Sequence, residues 1–287
     1  MKFLETAFHL NTDSGTCTIP YLDMEGDRDK LTLVSKMNHV SLETFKISAK
    51  MDSELLQDLK QFHAVDGEAM AIQAIERESF AQRQKKLSEV YHTQGDKTSE
   101  ELLSRKKKII RKIFSKVKFQ EYVTNMAREG SENLVRSIMV KSNMIATRSR
   151  RGGGDFILCG RSTATLIQDH SSFVHNTDNF SLSDFQTISS IGVLNGRMQV
   201  YVDNNMKFSD STIIVGRFTK ANEAGVYIVE NKGSRELVET MLSESDKKYI
   251  YLNERLAFKA TDNAHLNFIK YEVSFTKKPL WKKILGI

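Results

Sequence analysis

The chain has 287 residues, 40% of them hydrophobic and 27% charged, which is the composition of a folded protein large enough for one big domain or two smaller ones. Lysine and arginine number 42 against 36 acidic residues, a net charge of +6. No apolar run approaches the roughly 20 residues needed to span a bilayer, and with only two prolines there is no Pro-rich linker.

Residues Met1 to Leu10 contain Glu5 and His9 and do not read as a signal peptide. Residues 1 to 51 read as extended: Lys2 to His9, Thr16 to Tyr21, Lys30 to Lys36 and Val40 to Met51 are rich in Thr, Val, Phe and Ile. Turn chemistry at Asn11 to Gly15 and at Glu25-Gly26-Asp27 separates them. Between His39 and Met51 the apolar period is two, but its parity switches near Thr44, which predicts a bulge or a change of buried face.

A helix is predicted from Asp52 or Ser53, either of which can cap it, with Glu54 in its first turn. A break from His63 to Asp66 precedes a second helix that reaches about His92 and stops at Gly95-Asp96. Its apolar positions Ile72, Ile75, Phe80, Leu87 and Val90 suit a long helix laid on a sheet. A further helix is expected from Thr98 or Ser99. It carries Arg105, Lys106, Lys107, Lys108, Arg111, Lys112, Lys116 and Lys118 with no acid between them, opposite a stripe of Ile109, Ile113 and Val117. Such a run is either a solvated face or a surface for nucleic acid, where lysines neutralise phosphates.

Asn133 to Arg148 is again amphipathic. Arg148 to Asp155, with Gly152-Gly153-Gly154, reads as a flexible loop and a candidate domain boundary. Beyond it the texture is mixed: strand at Phe156 to Cys159, short helix at Ser162 to Gln168, then strands at Met198 to Val202, Thr212 to Val215 and Gly225 to Val229. Arg235 to Leu242 fits helix or strand. Tyr249 to Lys259 and Leu266 to Phe275 read as two long strands around Asp262-Asn263, followed by a basic, apolar tail with Trp281.

Catalytic signatures are missing. Cys17 and Cys159 are isolated, without metal or nucleophile spacing; a reducing compartment is the simpler reading, with a pairing of the two as the alternative. His170 and His175 are five apart, which does not place two imidazoles on one helix face, so they read as loop residues. The three glycines at 152 to 154 lack the Gly-Lys-Ser/Thr of a phosphate loop. No enzyme, cofactor or metal is expected.

Four segments in order carry a resemblance: Glu54-Leu55-Leu56-Gln57-Asp58 with His63 and Asp66; Arg151 to Ile157 with Arg161; Gly192-Val193-Leu194-Asn195-Gly196-Arg197 with Val200 to Asp203; and Val215-Gly216 with Lys220 to Tyr227, including Gly225. In this order the chain resembles the major capsid proteins of tailed bacteriophages, closest to the T-even major capsid and vertex proteins. The resemblance covers most of 1 to 96 and 130 to 275. The long N-terminal arm and inserted subdomain of the T-even proteins are missing or reduced, and residues 97 to 130 have no counterpart.

The resemblance implies an α+β protein of the Hong Kong 97-type fold. The E-loop hairpin would lie in 1–45 and the peripheral domain in 46–130 and 245–276, with a spine helix at about 65–93. An axial domain would lie in 131–244 and a basic tail in 277–287. It further implies self-assembly into hexameric and pentameric capsomers of an icosahedral shell around double-stranded DNA, in a virion assembled in the bacterial cytoplasm. Scaffold, portal and decoration proteins would be partners, with packaged DNA met non-specifically by the basic helix and no membrane contact. Glu54, Leu55, Gln57, Asp58, His63, Asp66, Gly192, Gly196, Arg197, Asp203, Gly225 and Tyr227 would mark the fold. The alternatives are a vertex protein of the same fold, an encapsulin-like compartment, and a non-viral DNA-binding module.

Overall fold

A computed structural model of the chain describes residues 3–25, 32–63, 66–112, 131–176, 187–207, 210–218, 225–231, 233–242, 247–262 and 264–273. The chain starts with a 3-10 turn at Phe3–Thr6 rather than the extended segment expected there. Thr6 closes the turn by donating its hydroxyl to the Phe3 carbonyl at 2.7 Å, and Phe3 and Leu4 are buried. Strand β1 (Phe8–Thr12) runs parallel to β10 (Val226–Asn231), pairing Phe8 with Tyr227. Residues 3–12 thus pack with the core and stand apart from the hairpin.

The hairpin proper is β2 (Thr16–Glu25) and β3 (Thr32–Ser41), in register from Thr16↔Ser41 to Glu25↔Thr32. These two strands form a two-stranded sheet of their own. The parity switch seen in the sequence is a change of sheet. The chain leaves β3 at Leu42, whose N–H bonds the Gly15 carbonyl at 3.0 Å, and re-enters as β4 (Glu43–Asp52), paired with β12 (Lys247–Ala260).

Helix α1 (Ser53–His63) begins where the capping signal placed it. After the break, Asp66 caps α2, accepting the N–H groups of Glu68 and Ala69 at 3.0 and 3.2 Å. Helix α2 runs from Gly67 to Lys112, 46 residues, or about 70 Å at ~1.5 Å per residue. It does not stop at Gly95-Asp96, and no new helix starts at Thr98. A Cβ on Gly95 would lie 2.7 Å from the Lys270 Cβ, so the glycine admits a neighbouring strand and does not end the helix. Thr98 donates to the His265 carbonyl and Ser99 to the Gly95 and Lys270 carbonyls, which are side-chain bonds made from within a continuing helix.

Helix α3 (Ser131–Ser149) leads into β5 (Phe156–Cys159) through residues 150–155. That connection is packed, contrary to the flexible boundary expected. Ser142 donates to the Gly154 carbonyl at 3.1 Å, and a Cβ on Gly154 would meet Val215 at 2.7 Å. Helix α4 (Arg161–Gln168) follows, then β6 (Phe173–His175), β7 (Ile188–Leu194), β8 (Met198–Asp203) and β9 (Thr212–Gly216). With β13 (Phe268–Glu272) these make a six-stranded sheet in the order β13-β9-β5-β8-β7-β6. The segment open to either reading is a strand, β11 (Glu236–Leu242).

The six-stranded sheet is buried on both faces, which explains its continuous apolar runs. On one face Ile157, Val200 and Val215 pack against Leu134, Ile138 and Ile145 of α3. On the other, Phe156, Leu158, Tyr201 and Phe268 pack against Leu87 and Tyr91 of α2 and against Phe3. The second sheet has β12 at its centre. Leu256 pairs with Glu43 of β4 and with Glu230 of β10, so these strands flank β12 on opposite sides. Strand β11 continues along the β10 side, from Glu236↔Asn253 to Leu242↔Lys247.

Sheet membership departs from the expected domain limits. β10 and β11 lie in the β12 sheet although both precede residue 245, and β13 lies in the six-stranded sheet although it follows it. The last two strands lie in different sheets, because the 3-10 turn Ala264–Asn267 carries the chain from one sheet to the other.

Candidate functional site

Helix α2 holds the molecule together through polar contacts placed at helical spacing. Toward the β12 sheet, Glu254 is almost fully buried, and its Oε2 accepts from Ser79 Oγ at 3.0 Å and from Arg83 Nε and Nη2 at 3.0 and 2.7 Å. Arg83 Nη1 donates to Glu230 Oε1 at 2.7 Å. Arg235 closes the far side, with Nε 3.3 Å from Glu254 Oε1 and Nη2 bonded to Glu76 at 3.0 Å. One planar guanidinium thus joins a helix to two strands, a geometry that a lysine cannot reproduce.

Toward the six-stranded sheet, the buried Gln84 side chain makes both bonds to the backbone of Ile188: Nε2 donates to its carbonyl and Oε1 accepts its N–H, each at 3.0 Å. Ser88 donates to Asp203 at 2.8 Å, and Tyr91 and Thr6 share a hydroxyl bond at 2.7 Å. Burial pushes the Tyr91 and Tyr201 phenols upward and the Cys159 thiol up to about 12. Burial, assisted by the charge on Lys270, lowers His92. Each shift favours the neutral group in a water-poor interior. His170 bonds Ser172 at 2.7 Å, and His175 stacks edge-on against Phe173.

The structure scatters the fold-marking residues instead of gathering them. Glu54, Leu55, Gln57, Asp58 and His63 lie exposed on α1, with Leu55 at 55% and nearby Phe62 at 75% exposure. Asp66 is the cap of α2. Gly192 lies in β7, where a Cβ would sit 2.2 Å from the Val174 carbonyl oxygen. Asn195 and Gly196, with φ of 52° and 62°, take left-handed backbone in the three-residue loop between the paired Leu194 and Met198. Arg197 Nη2 lies 3.3 Å from Asp155 Oδ1. Asp203 is buried, serving Ser88 and the Asn205 N–H. Gly225 accepts the Thr261 N–H at 2.9 Å, and Tyr227 is buried edge-on to Phe8.

Arg105, Lys106, Lys107, Lys108, Arg111 and Lys112 fall on the last turns of α2. Lys116, Lys118 and the tail with Trp281 lie outside the described residues. The sequence reading missed Arg83, Glu254 and Gln84. One signal was available: Lys248, Ile250, Leu252 and Glu254 alternate along β12 and all face inward, so a carboxylate in buried phase called for a cation on the helix above it.

At the root of the hairpin, Ile19 and Val40 pack with Tyr227, Val229 and Ala257. Beside them opens a groove of about 580 Å³ between β3, the start of β4, β12 and α2, with Val40, Phe45, Val90, Gln94, Leu256 and Phe258 among its lining. Among the described residues no cluster could hold a metal ion, and no described helix is long and apolar enough to cross a membrane.

A family model described as major capsid protein Gp23 matches residues 25–229. The chain belongs to the Gp23 major capsid protein family. It is a structural protein of the bacteriophage head shell, and its place is the virion capsid. Solved structures agree on the fold. A chain of Microbacterium phage Oxtober96 superposes with a TM-score of 0.56 at 8% identity, covering 94% of this chain and 90% of that one. The capsid of Myoviridae phage XM1 gives a TM-score of 0.53 at 10% identity, covering 95% and 91%. The architecture is therefore the Hong Kong 97-like capsid fold, as the resemblance implied. No curated protein matches the chain.

Proposed function

We propose that this capsid protein works purely by assembly, forming hexameric and pentameric capsomers of an icosahedral shell around double-stranded DNA, with no catalytic activity. The observation that carries this is the β2–β3 hairpin. It is a ten-residue ladder on each strand whose strands, among the described residues, pair only with each other, rooted in the core at Ile19 and Val40. Met37 on it is 68% exposed. A long two-stranded ribbon is not stable by its own contacts and needs a partner surface. In a ring, each hairpin lies over the next subunit, and head-to-tail contacts close when their rotation divides a full turn.

In this scheme α2, β4 and β12 form the peripheral part and the six-stranded sheet with α3 the axial part around the symmetry axis. The end of α2, from Arg105 to Lys112, faces the packaged genome through phosphates alone. Scaffold, portal and decoration proteins are the other partners.

Electron microscopy with sedimentation of the protein, expressed alone and with its scaffold, tests this. Rings, tubes or closed shells are expected. A monomer under both conditions that binds DNA in a salt-dependent manner sinks the shell scheme in favour of a nucleic-acid module. Replacing Lys106, Lys107, Lys108 and Lys112 by Gln tests the DNA-facing role, for which a loss of genome retention with intact shells is expected.

A further inference from the structure

Three neighbouring strands end side by side where α3 runs into the six-stranded sheet. In the order β9-β5-β8, Arg217 follows the last residue of β9, Asp155 precedes β5 and Arg197 precedes β8. Two bonds fix the row: Asp155 N–H donates to the Gly216 carbonyl at 2.8 Å, and Gln199 N–H to the Asp155 carbonyl at 2.9 Å. The segment that enters this row is Arg148-Ser149-Arg150-Arg151-Gly152-Gly153-Gly154. The fold thus brings Arg197 and Arg217 to a stretch of chain already rich in arginine. The glycines permit the approach. A Cβ at Gly153 would lie 2.9 Å from Arg197 Nη2, and one at Gly152 would lie 3.4 Å from Arg217 Nε and 3.7 Å from its Cζ. Both guanidiniums therefore rest against the bare backbone of consecutive residues.

Arg197 is half-exposed and bonds Asp155 at 3.3 Å. Arg150 is exposed and stands at φ 55° directly after α3, where glycine is the usual residue and a side chain is strained. The negative end of the α3 dipole accounts for Arg148, whose Nη1 is shut off from solvent. It does not account for Arg197 and Arg217, which arrive from the ends of two strands. Like charges gathered in this way repel one another, and a bound anion relieves the repulsion. Planar guanidiniums present paired N–H donors that match the oxygens of a phosphate. We propose that Arg150, Arg151, Arg197 and Arg217 form a phosphate-binding site, filled either by a free polyphosphate anion or by the backbone of a nucleic acid. The site is separate from the basic end of α2, and because all its residues belong to one subunit it does not require a shell.

Calorimetric titration of the full, unassembled chain with sodium tripolyphosphate at low salt tests this. The parent is expected to bind, and the variant combining Arg197→Gln with Arg217→Gln to bind about tenfold more weakly. Arg150→Gly guards against a folding artefact. It relieves the left-handed strain, so the variant should resist urea at least as well as the parent, yet bind tripolyphosphate about two- to fivefold more weakly. No binding by the parent, or equal affinity in the parent and both variants, overturns the inference. Duplex DNA titrated into the chain carrying Lys106→Gln, Lys107→Gln, Lys108→Gln and Lys112→Gln, with and without the two arginine-to-glutamine changes, separates the sources of phosphate. A further loss of DNA affinity assigns the site to a nucleic-acid backbone. Unchanged DNA affinity beside weakened tripolyphosphate binding assigns it to a free polyphosphate. Shell formation, read by electron microscopy, stands or falls separately.

Discussion

Gly95 of α2 and Lys270 of β13 are in direct contact: a Cβ at position 95 would lie 2.7 Å from the Lys270 Cβ and 3.3 Å from its backbone nitrogen. Lys270 Nζ reaches Asp96 Oδ2 at 3.1 Å, so helix and strand are clasped at one spot. Alanine in a helix interior ordinarily gains about 1 kcal/mol over glycine. Here overpacking, which costs about 1–3 kcal/mol, opposes it. Gly95→Ala should therefore lower the midpoint of chemical denaturation despite its better propensity. A gain of stability would show that β13 gives way freely and that the contact does not matter.

Arg83 compensates the buried Glu254, whose side chain is 5% exposed, and the more accessible Glu230. Arg83→Met keeps most of the aliphatic volume and removes the charge, leaving Glu254 with Ser79 and a more distant Arg235. Breaking one partner of a buried pair costs roughly 3–5 kcal/mol. A loss of that order is expected by urea denaturation, and the double variant Arg83→Met with Glu254→Gln should recover part of it. A loss below about 1 kcal/mol would place the network among ordinary surface pairs.

The elements with local causes were legible in the sequence. Asp52-Ser53 before Glu54 marked the start of α1. The end of α2 was not legible. Gly95-Asp96 carries the local chemistry of a helix stop, and the contacts that override it, from His265 and Lys270, lie about 170 residues away. β11 was ambiguous for the same reason: its partner Tyr249 to Asn253 decides it, and its own propensity does not. Among the fold-marking residues Asp66 is a cap, Gly196 a turn residue and Gly192 a packing glycine, whereas the groove around Gln94 exists only after β3, β12 and α2 meet.

The pH dependence follows from His92. Burial, with Lys270 second, lowers its pKa below 6.5, against smaller opposing effects of Asp203, Asp96 and Asp210. The unfolded chain then binds a proton below pH 6.5 that the folded chain refuses, so folded stability rises with pH through this window and is lost as pH falls. His92→Gln should flatten the decline of stability as pH falls below about 6.5, relative to the parent. A decline of the same steepness in both proteins would assign it to the carboxylates instead.

Cys159 and Cys17 should differ sharply in reactivity. Cys159 is fully buried in β5, donates to the Tyr201 carbonyl at 3.7 Å and holds its proton up to about 12, whereas Cys17 is partly exposed at the hairpin root. The thiolate is the reacting species, so at pH 8.5 iodoacetamide should modify Cys17 and leave Cys159 untouched until urea unfolds the chain. The sign of the linkage is fixed as well. The unfolded thiol ionises near its ordinary value of 9.0 while the folded one does not, so this residue withdraws stability as pH climbs from about 9 toward 12. Cys159→Ser, which replaces the thiol with a group that does not ionise there, should soften alkaline unfolding in that range, and peptide mapping of the alkylated protein reads the first half of the prediction directly. Equal labelling of both cysteines in the folded protein would mean that β5 opens far more readily than its place at the centre of the six-stranded sheet allows.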